Sequence, residues 1–192
     1  IRPPPRSTLF PYTTLFLSPC GNILMPLTLL RHSHVSPQYR KRYLGWSDVD
    51  IEQTPFCEEK VQELLSQNYD LIYSSDLRRC TQTLDRIGLA YTTDQRLREL
   101  RFKDKIELKS FEEIEKLPCF RQEYLDSEIS WFEYVSDEDY EEFKFRIKSF
   151  LDTLDFSKNI LICSHKGTLN TALELLGEEK KDFDYFQSHI VL

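Results

Sequence analysis

A short apolar run, Leu27-Thr28-Leu29-Leu30, stops at Arg31-His32, and far downstream a second, Asn159 to Cys163, stops at Ser164-His165. Both read as strands buried in a sheet. In open α/β sheets, ligands bind beyond the carboxyl ends of the strands, where both histidines fall. A neutral imidazole there can attack phosphorus, and a guanidinium can grip phosphate oxygens in a bidentate fork. A second imidazole can hold the developing charge. The arrangement suits phosphoryl transfer.

The segments between the runs read as helices and loops. Pro37 to Asp50 is a polar loop carrying Tyr39, Tyr43 and Trp46, and Phe56 to Gln67 has apolar residues at helical spacing. Asp70 to Ser74 predicts a strand, and Leu77 to Ile87 a helix ended by Gly88. An extended piece near Tyr91-Thr92-Thr93 leads to Leu97-Arg98-Glu99-Leu100. Phe111 to Leu117 and Phe120 to Leu125 are short helical stretches separated by Pro118. Tyr140 to Leu154 is the longest predicted helix, and Thr168 to Leu176 the last, stopping at Gly177. The acidic stretch Ser136 to Glu142 reads as a solvated loop and a first helical turn. Strands alternating with helices predict a three-layer α/β/α fold with a mostly parallel central sheet. Residues 100–140 are expected to form a small cap.

Composition excludes several classes. The 192 residues fit one domain, and 40% hydrophobic with 30% charged residues is ordinary for a soluble protein. A net charge of −7 argues against general nucleic-acid binding. No apolar run approaches a membrane span. The five cysteines form no CxxC pair, and the four histidines lack an HExxH arrangement. Reduced thiols in a cytoplasmic protein without a metal are therefore expected.

The ends of the chain read differently from its middle. Residues 1–24 hold a carboxylate-free stretch, Ile1 to Cys20, rich in Pro, Thr, Leu and Phe. Pro11 and Pro19 interrupt its apolar patch, which argues against a secretory signal. Arg-Ser-Thr-Leu-Phe-Pro-Tyr-Thr-Thr-Leu-Phe resembles a translated sequencing adapter, so 1–24 is expected to be a non-native extension, with Met25 as the natural start. Ser188 to Leu192 looks like a strand just beginning, which suggests truncation of the 25–192 domain.

Four segments then resemble those of one family, the histidine phosphatases, or phosphoglycerate-mutase-like proteins. Arg31-His32-Ser33 resembles their Arg-His-Gly motif. Ser74 to Thr83 resembles Ser-Ser-x-Leu-x-Arg-x-x-Gln-Thr, its functional arginine falling on Arg79 and its variable position on Arg78. Leu97-Arg98-Glu99 resembles the Leu-x-Glu segment, and Ser164-His165-Lys166-Gly167 the Ser-His-Gly-Gly segment. Arg42-Tyr43-Leu44-Gly45-Trp46-Ser47-Asp48 is similar to a stretch of the α-ribazole phosphatase branch, and its spacing places Gln38 where a phosphate-contacting Asn often stands.

The resemblance implies a histidine-type acid phosphatase or phosphomonoesterase acting on a small phosphorylated metabolite, without cofactor. His32 would take the phosphoryl group, and Arg31, Arg79 and His165 would neutralise its oxygens. Glu99 would protonate the leaving oxygen, with Ser33 and Gln38 beside the phosphate. Arg31 and Arg79 should favour neutral His32 by charge repulsion. Four features depart from the pattern: Ser33 and Lys166 in place of glycines, His34 where an acid is frequent, and a rebuilt loop at Phe102 to Leu108. Glu138 falls where a family glutamate would, among unmatched neighbours.

Plainer readings stand beside these. His32 alone equally fits a hydrogen-bonded core histidine, Arg78 and Arg79 a solvated helix face, and Glu99 a structural ion pair. Lys166 reads as a surface lysine. A phosphoglycerate-mutase-type phosphotransferase, a non-catalytic phosphate-binding relative and a phosphohistidine-protein phosphatase are the alternatives to a metabolite phosphatase.

Overall fold

In the computed structural model, which describes residues 16–17 and 23–191, β1 (Phe16–Leu17) and β2 (Ile23–Leu24) form an antiparallel ribbon. Apart from that ribbon, the stretch 1–24 read above as an extension lies outside the described residues, as does Leu192. The main sheet contains β3 (Leu27–Arg31), β4 (Leu71–Ser74), β5 (Thr92–Thr93), β6 (Ile160–Ser164) and β7 (Ser188–Val191). Their order is β5-β4-β6-β3-β7. The first four are parallel, and β7 adds an antiparallel edge on β3.

Strand alternation divides the core. Leu27 and Leu29 of β3 and Ile160 and Ile162 of β6 enter one buried cluster, while Leu30, Leu161 and Cys163 enter another. Because both faces are covered, these strands show no polar alternation, which is why they read as continuous apolar runs. The helices are α1 (Glu58–Leu65), α2 (Arg78–Ile87), α3 (Phe111–Ile114), α4 (Glu128–Val135), α5 (Tyr140–Leu151) and α6 (Lys166–Leu175). Leu64 of α1 and Leu84 of α2 fill one cluster, and Phe143 and Ile147 of α5 with Leu169 of α6 fill the other. The fold is therefore a three-layer α/β/α sandwich around a mostly parallel sheet.

Local chemistry sets the helix ends. Gly88, at φ +74°, terminates α2 in the left-handed conformation that glycine adopts without strain. Asp139 and Glu142 form a capping box at the start of α5, which gives part of the acidic stretch 136–142 a structural task. Helix α5 stops at Leu151, three residues before the expected end, where the Thr153 hydroxyl takes the Phe150 carbonyl. Leu154 still packs on the core, so its helical spacing was misleading.

Helix α4 had no counterpart in the sequence reading. Its run of Ile129, Trp131, Phe132, Tyr134 and Val135 is too crowded with β-branched and aromatic residues to show a helical stripe. Ser127 nonetheless caps it by accepting the Ser130 N–H at 3.0 Å. Tyr134 and Val135 then join Ile106 and Ile114 in a separate small apolar cluster.

Candidate active site

Parallel pairing brings three polar side chains to one edge of the sheet. Strand β6 lies between β4 and β3, with Arg31 opposite Ser164 and Ser74 opposite Cys163. The ladder continues one residue further: His32 N–H donates to Ser164 O at 3.0 Å, and Ser75 N–H to Cys163 O at 2.9 Å. His32, His165 and Ser75 therefore leave adjacent strands at their carboxyl ends. The two imidazole centroids are 5.2 Å apart.

His32 is 4% exposed, and its Nδ1 lies 2.7 Å from the Ser33 carbonyl. A carbonyl only accepts, so Nδ1 carries the hydrogen and Nε2 keeps a free lone pair. Ser33 is anchored in turn, its N–H donating to Thr83 Oγ1 at 2.9 Å. Burial holds the His32 pKa well below its ordinary 6.5, and repulsion from Arg79 and then Arg31 adds to the effect. Desolvation thus exceeds the charge repulsion expected from sequence.

Helix α2 delivers Arg79. Asp48 Oδ1 accepts the Arg78 N–H at 2.6 Å, capping the first turn from the loop before it. Arg78 itself is exposed and pairs with Asp50, whereas Arg79 is 1% exposed. The Arg79 Nε donates to His165 Nδ1 at 3.1 Å, Nη1 to Ser47 O at 2.9 Å and Nη2 to Gly45 O at 2.7 Å. Each acceptor is neutral, and a guanidinium has five N–H groups, so donor capacity remains. Gly45 presents its carbonyl from a left-handed backbone, φ +49°.

His165 follows β6 directly and stands at the N-terminal cap position of α6. With Nδ1 accepting from Arg79, its Nε2–H faces Ser75 Oγ at 3.0 Å. Burial, followed by Arg79, holds its pKa well below 6.5. Arg31 is half-buried: Nη1 donates to Phe183 O at 2.7 Å, and its guanidinium carbon stands 3.8 Å from the Tyr185 ring centroid. Its Nε is buried without a hydrogen-bond partner among the described residues. Among those residues, neither Arg31 nor Arg79 is bonded to a carboxylate.

Glu99 arrives from the loop after β5, pinned on several sides. Its carbonyl accepts from Trp46 Nε1 at 2.8 Å and Arg146 Nη2 at 2.9 Å, while Arg98 makes a bidentate pair with Asp76. The carboxylate accepts N–H groups of Leu100 at 3.0 Å and Gly167 at 3.2 Å. A side chain at Gly167 would collide with that carboxylate. Glu99 also lines an open cavity of about 1190 Å³.

The remaining candidates are placed as follows. Gln38 sits on an exposed turn, Pro37–Tyr39, where its carbonyl accepts from Arg42 Nε at 2.9 Å; among the described residues no hydrogen bond joins its side chain to the histidines. Glu138 holds Arg146 at 2.9 and 3.0 Å. Lys166 opens α6 and pairs with Asp182. Neither Ser33 nor Lys166 is among the residues with positive φ, so both glycine replacements occupy ordinary backbone. Ser75 and Thr83 stood inside a recognised motif without being singled out as site residues, and Arg146 and Tyr185 had no motif to mark them. Tyr185 packs 5.6 Å from His32 and 4.6 Å from His34, ring to ring. Among the described residues, no group of three or more His, Cys, Asp or Glu is arranged to hold a metal, and no helix is long and apolar enough to cross a membrane.

The sheet order and the paired histidines at its carboxyl edge define a phosphoglycerate-mutase-like α/β protein. Residues 27–190 match the histidine phosphatase superfamily (branch 1), and the chain belongs to that superfamily. A 2,3-bisphosphoglycerate-dependent phosphoglycerate mutase of Bacteroides fragilis is 36% identical over 63 residues, covering 31% of this chain and 25% of that relative. The match spans about a quarter of the relative's length. A phosphoglycerate mutase structure from Thermus thermophilus superposes with TM-score 0.62 at 22% identity, covering 87% of this chain and 92% of that one. The structure of TTHB049, from the same organism, gives 0.64 at 22% identity over the same shares. The product of an open reading frame of Mycobacterium tuberculosis gives 0.67 at 18% identity, covering 86% and 90%.

Both buried histidines link stability to pH. Their folded pKa values lie below the ordinary 6.5, so the unfolded chain takes up protons first as pH falls. The stabilisation of the neutral forms is complete above pH 6.5 and is lost as pH falls from there towards the folded values. A urea midpoint followed from about pH 7.5 to about pH 5 should drop in the wild type and drop less in His32→Gln, which has no such proton to gain.

Proposed function

We propose that the chain is a phosphomonoesterase working through a phosphohistidine at His32 on a small phosphorylated metabolite. One observation carries the reading: Arg31 and Arg79 stand beside a neutral imidazole and are bonded only to neutral acceptors among the described residues. A buried cation without a counter-charge is costly, and a phosphoryl dianion supplies that charge. The His32 tautomer supports the same role, because Nε2 holds the lone pair that attacks phosphorus.

In the first step a bond forms between His32 Nε2 and phosphorus while the ester P–O bond breaks. Glu99 passes a proton to the leaving oxygen. Arg31 and Arg79 turn their N–H groups to the phosphoryl oxygens, and His165 moves its Nε2–H from Ser75 to a third. In the second step Glu99 takes a proton from water as it attacks phosphorus, the N–P bond breaks, and inorganic phosphate leaves. The fixed cations supply the charge, so the route calls for no cofactor, and a cytoplasmic setting suits it. Ser33 orients His32 through its carbonyl. Gln38, on its exposed turn, would donate an amide N–H to a phosphate oxygen.

A mutase is the second reading, favoured by the 63-residue match to a phosphoglycerate mutase. The two differ in product: a phosphatase releases phosphate, whereas a mutase returns an isomerised ester.

Incubation with an aryl phosphate, without added metal, should release phosphate and leave acid-labile label on the wild type, with both lost in His32→Ala. Equal rates in the two folded proteins would refute the route. Gly167→Ala should displace the Glu99 carboxylate and lower kcat/KM about 10- to 100-fold. Because the atom in conflict is the end of a flexible side chain, the thermal midpoint should barely move.

A further inference from the structure

The cavity of about 1190 Å³ is bordered by Glu99 and Gly167 and by residues of α4, α5 and α6; Arg31, His32, Arg79 and His165 are not in its lining, so Glu99 is what joins it to the phosphate site. Its walls carry the apolar side chains of Phe102, Ile129, Trp131 and Phe132. Ile129 leaves 69% of its surface exposed there, so its apolar side chain is open to contact by a ligand. The wall continues through Leu100 and Phe143, both buried in the core beneath.

Charge narrows the occupant further. Six carboxylates besides Glu99 border the cavity, against two lysines; Glu128, Asp137 and Glu138 are neutralised by ion pairs, which leaves Glu133, Asp139 and Glu141. Both lysines are already engaged, Lys166 with Asp182 and Lys180 with Glu128 at 2.9 Å. Arg101 and Arg146 lie nearby, but they are paired with Asp137 and Glu138. The phosphate site is therefore cationic, and the cavity bordered by Glu99 keeps a surplus of carboxylates. A substrate carrying a second anionic group, such as a phosphoglycerate, would place that group against carboxylates.

Resting on the phosphatase reading, we propose that this cavity selects phosphate monoesters of bulky aromatic alcohols that are uncharged or cationic. The aromatic body lies against Ile129, Trp131 and Phe132, and the ester oxygen faces Glu99. Burial of the ring against these side chains supplies the binding, and the acidic border excludes anionic alcohols.

The test compares kcat/KM for 1-naphthyl phosphate, methyl phosphate and 3-phosphoglycerate in the wild type and in Ile129→Glu, a substitution at an exposed position. The wild type should prefer 1-naphthyl phosphate over 3-phosphoglycerate by at least about tenfold, and Ile129→Glu should lower the naphthyl-to-methyl ratio about tenfold, chiefly through KM. A preference for 3-phosphoglycerate, or an unchanged ratio in Ile129→Glu, would overturn the proposal. Phosphoramidate separates the two levels of failure. If it labels His32 while 3-phosphoglycerate is preferred, the substrate class alone is wrong. If no ester is hydrolysed and no label appears, the phosphatase reading falls and the substrate class with it.

Discussion

A guanidinium buried without an anionic partner is the constraint around which this site is organised. Arg79 is 1% exposed and is held by two loop carbonyls and an imidazole nitrogen. Burial of such a charge is unfavourable, so every element that touches it must be fixed well enough to compensate by hydrogen bonding. Asp48 caps α2, Gly45 and Ser47 turn their carbonyls inward, and His165 gives up its Nδ1 lone pair. The same charge helps to keep both imidazoles neutral, although burial does more. Binding and nucleophile activation thus share one cause.

Loop positions follow from that arrangement. Ser47 is held by Glu107, whose carboxylate accepts its N–H at 2.6 Å and its hydroxyl at 2.8 Å. The rebuilt stretch after Glu99 therefore supports the loop that holds Arg79. Arg42, which suggested a particular branch of the family, ties the same loops together through Leu108 O and Glu113. Lys166 is accommodated because its position has ordinary helical backbone and its side chain pairs with Asp182, while Gly167 is the residue whose missing Cβ matters.

How much of this was legible in the sequence depends on how local each cause is. Strands β3 and β6 were plain because burial on both faces makes them uniformly apolar, and Gly88 marked the end of α2 by its left-handed conformation. The division of labour between Arg78 and Arg79 came from motif position, and the structure puts the first in solvent and the second in the core. Helix α4 was hidden by an aromatic-rich composition that blurs periodicity. Tyr185 and Arg146 reach the site through tertiary packing, from segments with no motif, and nothing local could have pointed to them. Gln38 was placed by spacing, and in the folded loop its side chain is exposed.

The central claim is that His32 is a neutral imidazole with its proton on Nδ1 and a free lone pair on Nε2. Long-range nitrogen–proton NMR of the labelled imidazoles tests it directly. The account predicts a pyrrole-like Nδ1 and a pyridine-like Nε2 for His32, persisting below pH 6.5. An imidazolium at neutral pH, or a proton on Nε2, would contradict it.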